Sequence, residues 1–377
     1  MNVPSANQSA PIGDLSLVAM RGCESFVEKV DRYLNQWRGH GGSYILRAAC
    51  PRFGSGEAKG MILESVRGHD MHIICDVFNY GVTYPMYGMD VPMSPDDHFQ
   101  DLKRIIGAAG GKPRRISLFM PMLYEGRQHR RGARESLDCA VALQELVRMG
   151  VTNIITFDAH DPRVQNAIPY SGFDNVQPVY QMIKALLKSY PDMTFSDNII
   201  IVSPDEGGLQ RCMYYASVLG TDLGMFYKRR NYSMLVDGRN PIVAHEYLGS
   251  DVNGRDVVII DDMISSGESI LDVSDQLKRR GARRVFVFST FGLFCNGLDL
   301  FDKYYAEEKI TKIFTTNLNY RPAELIARDW YQEVDMSKYV AYLIDALNLD
   351  HSISKHLDPV DKINALLDQY GITRANT

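Results

Sequence analysis

Residues 257–270 read Val-Val-Ile-Ile-Asp-Asp-Met-Ile-Ser-Ser-Gly-Glu-Ser-Ile, and no other stretch says as much about the fold. The apolar, largely β-branched run Val257–Ile260 predicts a buried strand that stops at Asp261-Asp262. A short loop of small hydroxyl residues and a glycine follows, and from Ile270 the pattern predicts a helix running to Gly281. Free N–H groups at such a helix start can bind a phosphate, and the carboxylates can hold sugar hydroxyls or a metal-bound pyrophosphate. The bare alternative is a strand-to-helix turn with Ser269 as N-cap.

The same alternation runs through most of the chain. Strands are expected at Ser43–Ala48, His72–Val77, Arg115–Met120, Asn153–Phe157, Ile199–Val202, Leu223–Tyr227, Val257–Ile260, Arg284–Ser289 and Ile313–Thr316. Helices are expected at Cys23–Trp37, Pro95–Ala109, Ser136–Met149, Val179–Ser189, Gly208–Val218, Ile270–Arg280, Gly297–Glu307 and Met336–Leu347, with a terminal helix in Pro359–Tyr370. Strands separated by helices predict right-handed βαβ units, hence an α/β fold with mainly parallel sheets flanked by helices. Ligands in such sheets sit beyond the carboxyl ends of the strands. Three expected strands end in acid there, at Asp158-Ala159-His160-Asp161, at Ser203-Pro204-Asp205-Glu206-Gly207-Gly208 and at Asp261-Asp262.

A chain of 377 residues suits two domains. Its net charge of −5 argues against nucleic acid as a partner, and no apolar run is long enough to span a bilayer. The scattered cysteines lack metal spacing and read as reduced thiols of a cytoplasmic protein. The polar stretch Met1–Gly13 reads as a loose tail. Residues 79–92, rich in Tyr, Gly, Met and Pro, are not expected to be regular throughout; they read as an ordered surface loop or a contact between subunits.

Five further segments can carry chemistry. Tyr227-Lys228-Arg229-Arg230, at an expected strand end, suits a phosphoryl-transfer clamp and a solvated basic turn about equally. Glu125–Gly132, with Arg127, Gln128 and His129, is a second basic loop able to pair a triphosphate. His160 could join a Mg²⁺ shell or touch a phosphate, although Mg²⁺ prefers oxygen; Asp205 is the better ligand. Phe53 and Glu57 could stack on and hydrogen-bond a base, but a glycine turn over a buried Phe is the plainer reading.

In order, these segments resemble the ribose-phosphate diphosphokinase (phosphoribosyl pyrophosphate synthetase) family, from about residue 15 to 358. The family's Arg-Phe-Ser-Asp-Gly-Glu is Arg52-Phe53-Gly54-Ser55-Gly56-Glu57, and its Glu-Ser-Val-Arg-Gly is unchanged at Glu64–Gly68. Its Arg-Gln-Asp appears as Arg127-Gln128-His129, its Asp-Leu-His as Asp158-Ala159-His160, and its Ser-Pro-Asp-x-Gly-Gly as Ser203–Gly208. Its Lys-x-Arg is Lys228-Arg229-Arg230, and its phosphoribosyl loop is Asp261–Ser269. Ser55, His129, Ser265 and Glu268 stand where the family pattern has Asp, Asp, Asp and Gly.

The resemblance implies two domains of type I phosphoribosyltransferase fold, placed at 15–177 and 178–345 after a flexible tail at 1–14. Residues 346–377 would form a C-terminal segment that packs back with an extra helix. The implied reaction moves the β,γ-diphosphoryl group of ATP to the 1-hydroxyl of ribose 5-phosphate, giving AMP and phosphoribosyl pyrophosphate. Lys228 and Arg230 would stabilise the transferred group, while Phe53, Ser55, Gly56, Glu57, Arg127, Gln128, His129 and His160 would bind ATP. His160 and Asp205 would belong to Mg²⁺ sites, and Asp261, Asp262, Ser265, Ser266, Gly267, Glu268 and Ser269 would bind ribose 5-phosphate. A homo-oligomer built on dimers and reaching hexamers is implied, with regulation by phosphate or ADP. A catalytically silent regulatory paralogue and a base phosphoribosyltransferase are the competing readings. The intact Lys-x-Arg and metal-site acids speak against the first, and two α/β halves against the second.

Overall fold

The computed structural model describes residues 10–193, 198–230 and 242–372; the side chains of residues 228–230, 242–245 and 355–356 lie outside that description. The chain forms two compact units. The first contains residues up to Gln177 together with Asn317–Tyr320 and Asp335–Asp358, and the second contains Pro178–Thr316, Arg321–Val334 and the segment from Pro359.

The first unit begins with β1 (Leu15–Ala19), α1 (Glu24–Arg38), β2 (Ala48–Ala49), β3 (Met61–Ile62), β4 (Asp70–Ile74), β5 (Thr83–Met86) and β6 (Met89–Pro92). It continues with α2 (Pro95–Ala109), β7 (Arg115–Phe119), α3 (Asp138–Arg148), β8 (Asn153–Phe157) and β9 (Gly172–Val176). Strands β1, β4, β7, β8 and β9 form one sheet in the order β1-β4-β7-β8-β9, parallel throughout. Central strands covered on both faces need near-continuous apolar sequence, and Ile154, Ile155 and Phe157 are fully buried. Helix α2 has the limits its sequence dictates. Ser94 Oγ accepts from Asp97 N–H while Asp97 accepts from Ser94 N–H, Pro95 fits the first turn, and Gly110 ends the helix at φ 58°.

The second unit contains α4 (Val179–Ser189), β10 (Ile199–Ser203), α5 (Leu209–Leu219), β11 (Asp222–Arg230), β12 (Ile242–Gly249), β13 (Asp256–Ile264) and α6 (Glu268–Arg279). After these come β14 (Arg284–Gly292), α7 (Asp299–Ala306), β15 (Lys312–Thr316), α8 (Ala323–Ile326) and β16 (Tyr331–Val334). Its sheet runs β12-β11-β10-β13-β14-β15-β16, with β12 antiparallel to β11 and the other pairs parallel. Helix α9 (Ser337–Asn348) and α10 (Ser354–Leu357) belong to the first unit, and α11 (Val360–Gln369) to the second.

Several expectations are corrected. Most of α9 was expected in the second domain, yet its Asp345 pairs with Arg38 of α1 at 2.7 Å. Residues 12–14, expected in the tail, are held by hydrogen bonds: Ile12 N–H to Asn348 O at 2.9 Å and Asp70 N–H to Asp14 O at 2.9 Å. Ser43–Ala48 is not a strand; it supplies a single bridge from Ile45 to Leu17 and one residue of β2, while the unpredicted β1 takes the sheet edge. Residues 83–92 form the hairpin β5–β6.

Both sheets carry a matched ion pair at the amino ends of their strands. Asp70 opens β4 opposite Arg115 of β7, as Asp256 opens β13 opposite Arg284 of β14. Asp70 is fully buried. Burial alone would raise its pKa, but hydrogen bonds from His72, Arg115 and Asn348 hold it well below the usual carboxylate range. Arg115→Met, which leaves this carboxylate buried without its cation, is expected to destabilise the protein by about 3 kcal/mol in urea unfolding at neutral pH. Because the folded-state pKa is depressed, the pair's contribution exists above the ordinary carboxylate pKa and fades as pH falls through the depressed value. The difference between variant and parent is therefore expected to shrink in acid; an equal difference at low pH would mean that lost packing, not the ion pair, is being measured.

Candidate active site

Strand β13 runs through the acidic pair instead of stopping at it. Strand β14 is long enough to pair Asp261 with Ser289, Met263 with Phe291 and Ile264 with Gly292. The ladder keeps the backbone extended, and alternation turns Asp262 into the buried interior while Asp261 stays half-exposed. Asp262 N–H donates to Asp261 Oδ1 at 2.9 Å. The Asp261 pKa is pushed well above the ordinary range, first by desolvation, then by the Asp262 charge; Asp205 adds to the rise and Arg211 of α5 opposes it.

The loop 265–267 then turns into α6. Gly267, not Ser269, is the cap residue; its φ is +85°, and a Cβ there would overlap the Phe301 ring. Cys295 N–H donates to Ser265 O at 2.9 Å, so the extension of β14 also fixes the loop. Ser265 and Ser266 are half-exposed, and Glu268 and Ser269 stand exposed on the first turn of α6, whose leading N–H groups have no preceding helical turn to bond.

Asp205 follows β10, the neighbour of β13 in the sheet. Its Oδ1 accepts from the N–H groups of Gly207 (2.9 Å) and Gly208 (3.2 Å). A Cβ at Gly208 would lie 2.9 Å from Ser203 Oγ, so this glycine lets α5 start close against the strand end. Asp205, Asp261, Asp262 and the loop thus gather at the carboxyl ends of β10 and β13. Arg211 is a member of this group that the sequence reading missed; its position one turn into the helix after Gly207-Gly208 was the available signal.

Lys228, Arg229 and Arg230 lie within β11, paired with β12, and not beyond a strand end as expected. Their side chains fall outside the described residues.

In the first unit, the loops after β7 and β8 meet. The rings of His129 and His160 lie 5.5 Å apart, and His129 Nε2 is 3.4 Å from Asp161 Oδ2. Hydrogen bonds from Arg163 bring the Asp161 pKa down to about 2. Asp158 takes φ 43° at the end of β8, which sharpens the turn before His160. Arg127, Gln128 and His160 are exposed, and His129 is half-buried.

The Arg52–Glu57 turn reverses the plain reading of its aromatic residue: Phe53 is 57% exposed, and Arg52 is buried instead. Arg52 donates to Asp101 at 3.0 Å and lies 4.5 Å over the Tyr84 ring. Ser55 Oγ donates to Glu57 Oε2 at 2.9 Å, and Phe53 N–H donates to Glu57 O at 2.7 Å.

No group of three or more His, Cys, Asp or Glu arranged to hold a metal occurs among the described residues. Among those residues, too, no helix is long and apolar enough to cross a membrane. None of the six cysteines forms a disulfide.

Comparison with known proteins gives three matching family models. Residues 15–150 match the N-terminal domain of ribose phosphate pyrophosphokinase, 170–292 the phosphoribosyl transferase domain, and 234–357 the phosphoribosyl synthetase-associated domain. The chain is similar to a ribose-phosphate pyrophosphokinase of Chlorobaculum tepidum, 26% identical over 357 residues, covering 91% of this chain and 98% of that one. A Ralstonia nicotianae protein of the same name is 30% identical over 256 residues, covering 67% and 72% respectively. One from Chromobacterium violaceum is 32% identical over 253 residues, covering 66% and 68%. The crystal structure of phosphoribosylpyrophosphate synthetase from Mycobacterium smegmatis shares the fold, with a TM-score of 0.73 at 20% identity over 89% of this chain and 98% of that one.

Proposed function

We propose, for a chain that belongs to the ribose-phosphate pyrophosphokinase family, that it transfers the diphosphoryl group of ATP to the 1-hydroxyl of ribose 5-phosphate. The sugar oxygen attacks the β-phosphorus, the bond from that phosphorus to the α-bridging oxygen breaks, the hydroxyl proton is released, and AMP leaves. The observation that carries this reading is the acidic group of Asp205, Asp261 and Asp262 beside the Ser265–Ser269 loop. The N–H groups at the start of α6 hold the 5-phosphate, and the Asp pair accepts hydrogen bonds from the ribose hydroxyls, which relieves their mutual repulsion. Phe53, Ser55, Gly56 and Glu57 hold the base, Arg127, Gln128, His129 and His160 the phosphates, and Lys228 and Arg230 meet the charge that builds on the transferred group.

Mg²⁺ fits this donor set. The Asp261 pKa is raised by desolvation and then by its acidic neighbours, a repulsion that a nearby cation relieves, and carboxylate oxygens are the donors Mg²⁺ prefers. Asp205 and His160 would each belong to a Mg²⁺ site, and Mg²⁺ there would offset the charge of the triphosphate. We assign the protein to homo-oligomers built on dimers, up to hexamers, with phosphate or ADP as regulators. We assign it to the cytoplasm, where its six cysteines would stay as thiols.

Purified protein with Mg²⁺, ATP and ribose 5-phosphate is expected to form AMP only when the sugar is present. Absence of AMP above an enzyme-free blank, across several nucleotides and with phosphate added, would sink the proposal.

A further inference from the structure

We infer that the hairpin β5–β6 is a second wall of the nucleotide-base subsite, with Tyr87 and Met89 as its base-contacting side chains. This rests on the proposal that the Phe53–Glu57 turn binds the base of ATP.

The hairpin is fastened to that turn at several points. Tyr87 N–H donates to Gly54 O at 2.9 Å. The Tyr84 ring lies under the Arg52 guanidinium, and its hydroxyl donates to Asp97 at 3.2 Å. Met86 packs against Gly56, where φ is +92° and a Cβ would lie 2.8 Å from the Met86 sulfur. Arg21 ties down the start of β5 by donating to Thr83 O at 2.8 Å.

Register then says which side chains face the turn. Tyr84 and Met86 are two residues apart, so they share a face of the ribbon, and both meet the Arg52–Glu57 turn. Met89 is the direct cross-strand partner of Met86 and therefore shares that face. Met89 nonetheless remains 60% exposed, Tyr87 at the apex 76%, and Phe53 in the turn to which the hairpin is fastened 57%. Two aromatic rings and a thioether are thus held in the open around one turn. A flat π-system is the chemistry that covers them, by stacking and sulfur–aromatic contact.

The backbone gives independent support. The two turn residues, Tyr87 and Gly88, have φ of +49° and +78°. Both values being positive, the two-residue turn is of a kind that Asn-Gly or Asp-Gly satisfies cheaply. An aromatic residue in the left-handed region is costly, and such strain persists at positions whose side chain is used.

The test uses Tyr87→Asn and Met89→Ser in the full-length protein, singly and together. Asn accepts a positive φ, so the first change relieves the hairpin instead of unfolding it. The double variant is expected to raise KM for ATP about tenfold, the loss typical of a base–aromatic stack. Its kcat, its KM for ribose 5-phosphate and its inhibition by tripolyphosphate, which has no base, are expected to match the parent. Tyr87→Phe, which keeps the ring, should leave KM for ATP near the parent value. If the parent forms AMP and the double variant keeps its KM for ATP within twofold, the inference fails while the proposed function stands. Equal weakening toward tripolyphosphate, or a changed oligomer mass with KM preserved, also overturns it. A parent that forms no AMP brings down the proposed function itself.

Discussion

Replacing Lys228 with alanine is expected to lower kcat by about a thousandfold and to leave KM for ribose 5-phosphate within a few-fold of the parent value. In diphosphoryl transfer the protein does little covalent chemistry; it positions the groups and stabilises charge on the oxygens of the moving group. A cation that meets this charge mainly in the transition state contributes to kcat and little to ground-state binding. Strand β11 supports the assignment because it fixes the lysine backbone in a ladder, pairing residue 228 with residue 245 of β12, where a turn would leave it loose. The measurement is steady-state AMP formation with each substrate varied in turn. Turnover close to that of the parent would remove Lys228 from the reaction, and an equal rise in both KM values would make it a binding residue only.

Gly267→Ala is expected to raise KM for ribose 5-phosphate about a hundredfold with KM for ATP little changed. Two costs combine at this position. A side chain at φ +85° is strained by about 1–2 kcal/mol, and the new methyl would overlap the fully buried Phe301, adding about 1–3 kcal/mol of overpacking. The neighbouring β14 and α7 belong to the core, so the loop is the softer part and moves first, carrying the N–H groups of α6 out of register with the phosphate. Adding Phe301→Leu, which frees space for the methyl, should recover part of the affinity. A folded Gly267→Ala variant with unchanged KM for the sugar phosphate would mean that the loop does not hold its phosphate.

Where pattern and propensity agreed, the chain was readable to the residue. Asn153–Phe157, Pro95–Ala109 and Val179–Ser189 have the expected limits, because apolar period, cap and proline signals all point one way. Strand β9, Gly-Phe-Asp-Asn-Val, went unseen because an edge strand with one buried residue carries almost no apolar signal. The acidic pair read as a strand terminus because charge usually ends a buried run. Only the length of β14, a distant segment, gives those residues backbone partners and keeps them extended.

The acids divide in the same way. Asp70 and Asp256 look no different in sequence from Asp205 and Asp261. Their place at the amino ends of the strands, each opposite an arginine, makes them structural ion pairs, whereas Asp205 and Asp261 lie at the carboxyl ends with one another as neighbours.

The sequence by itself determined the α/β alternation and the strand–loop–helix of residues 257–280. These depend on local steric limits and on residue types a few positions apart. Tertiary structure alone decided that β13 continues through its aspartates, that His129 meets His160, that Asn348 closes the Asp70 network, and that the β5–β6 hairpin is tied to the Arg52–Glu57 turn. Each of those encounters joins segments far apart in the chain or depends on strand register, and register is set by partners that no local pattern contains.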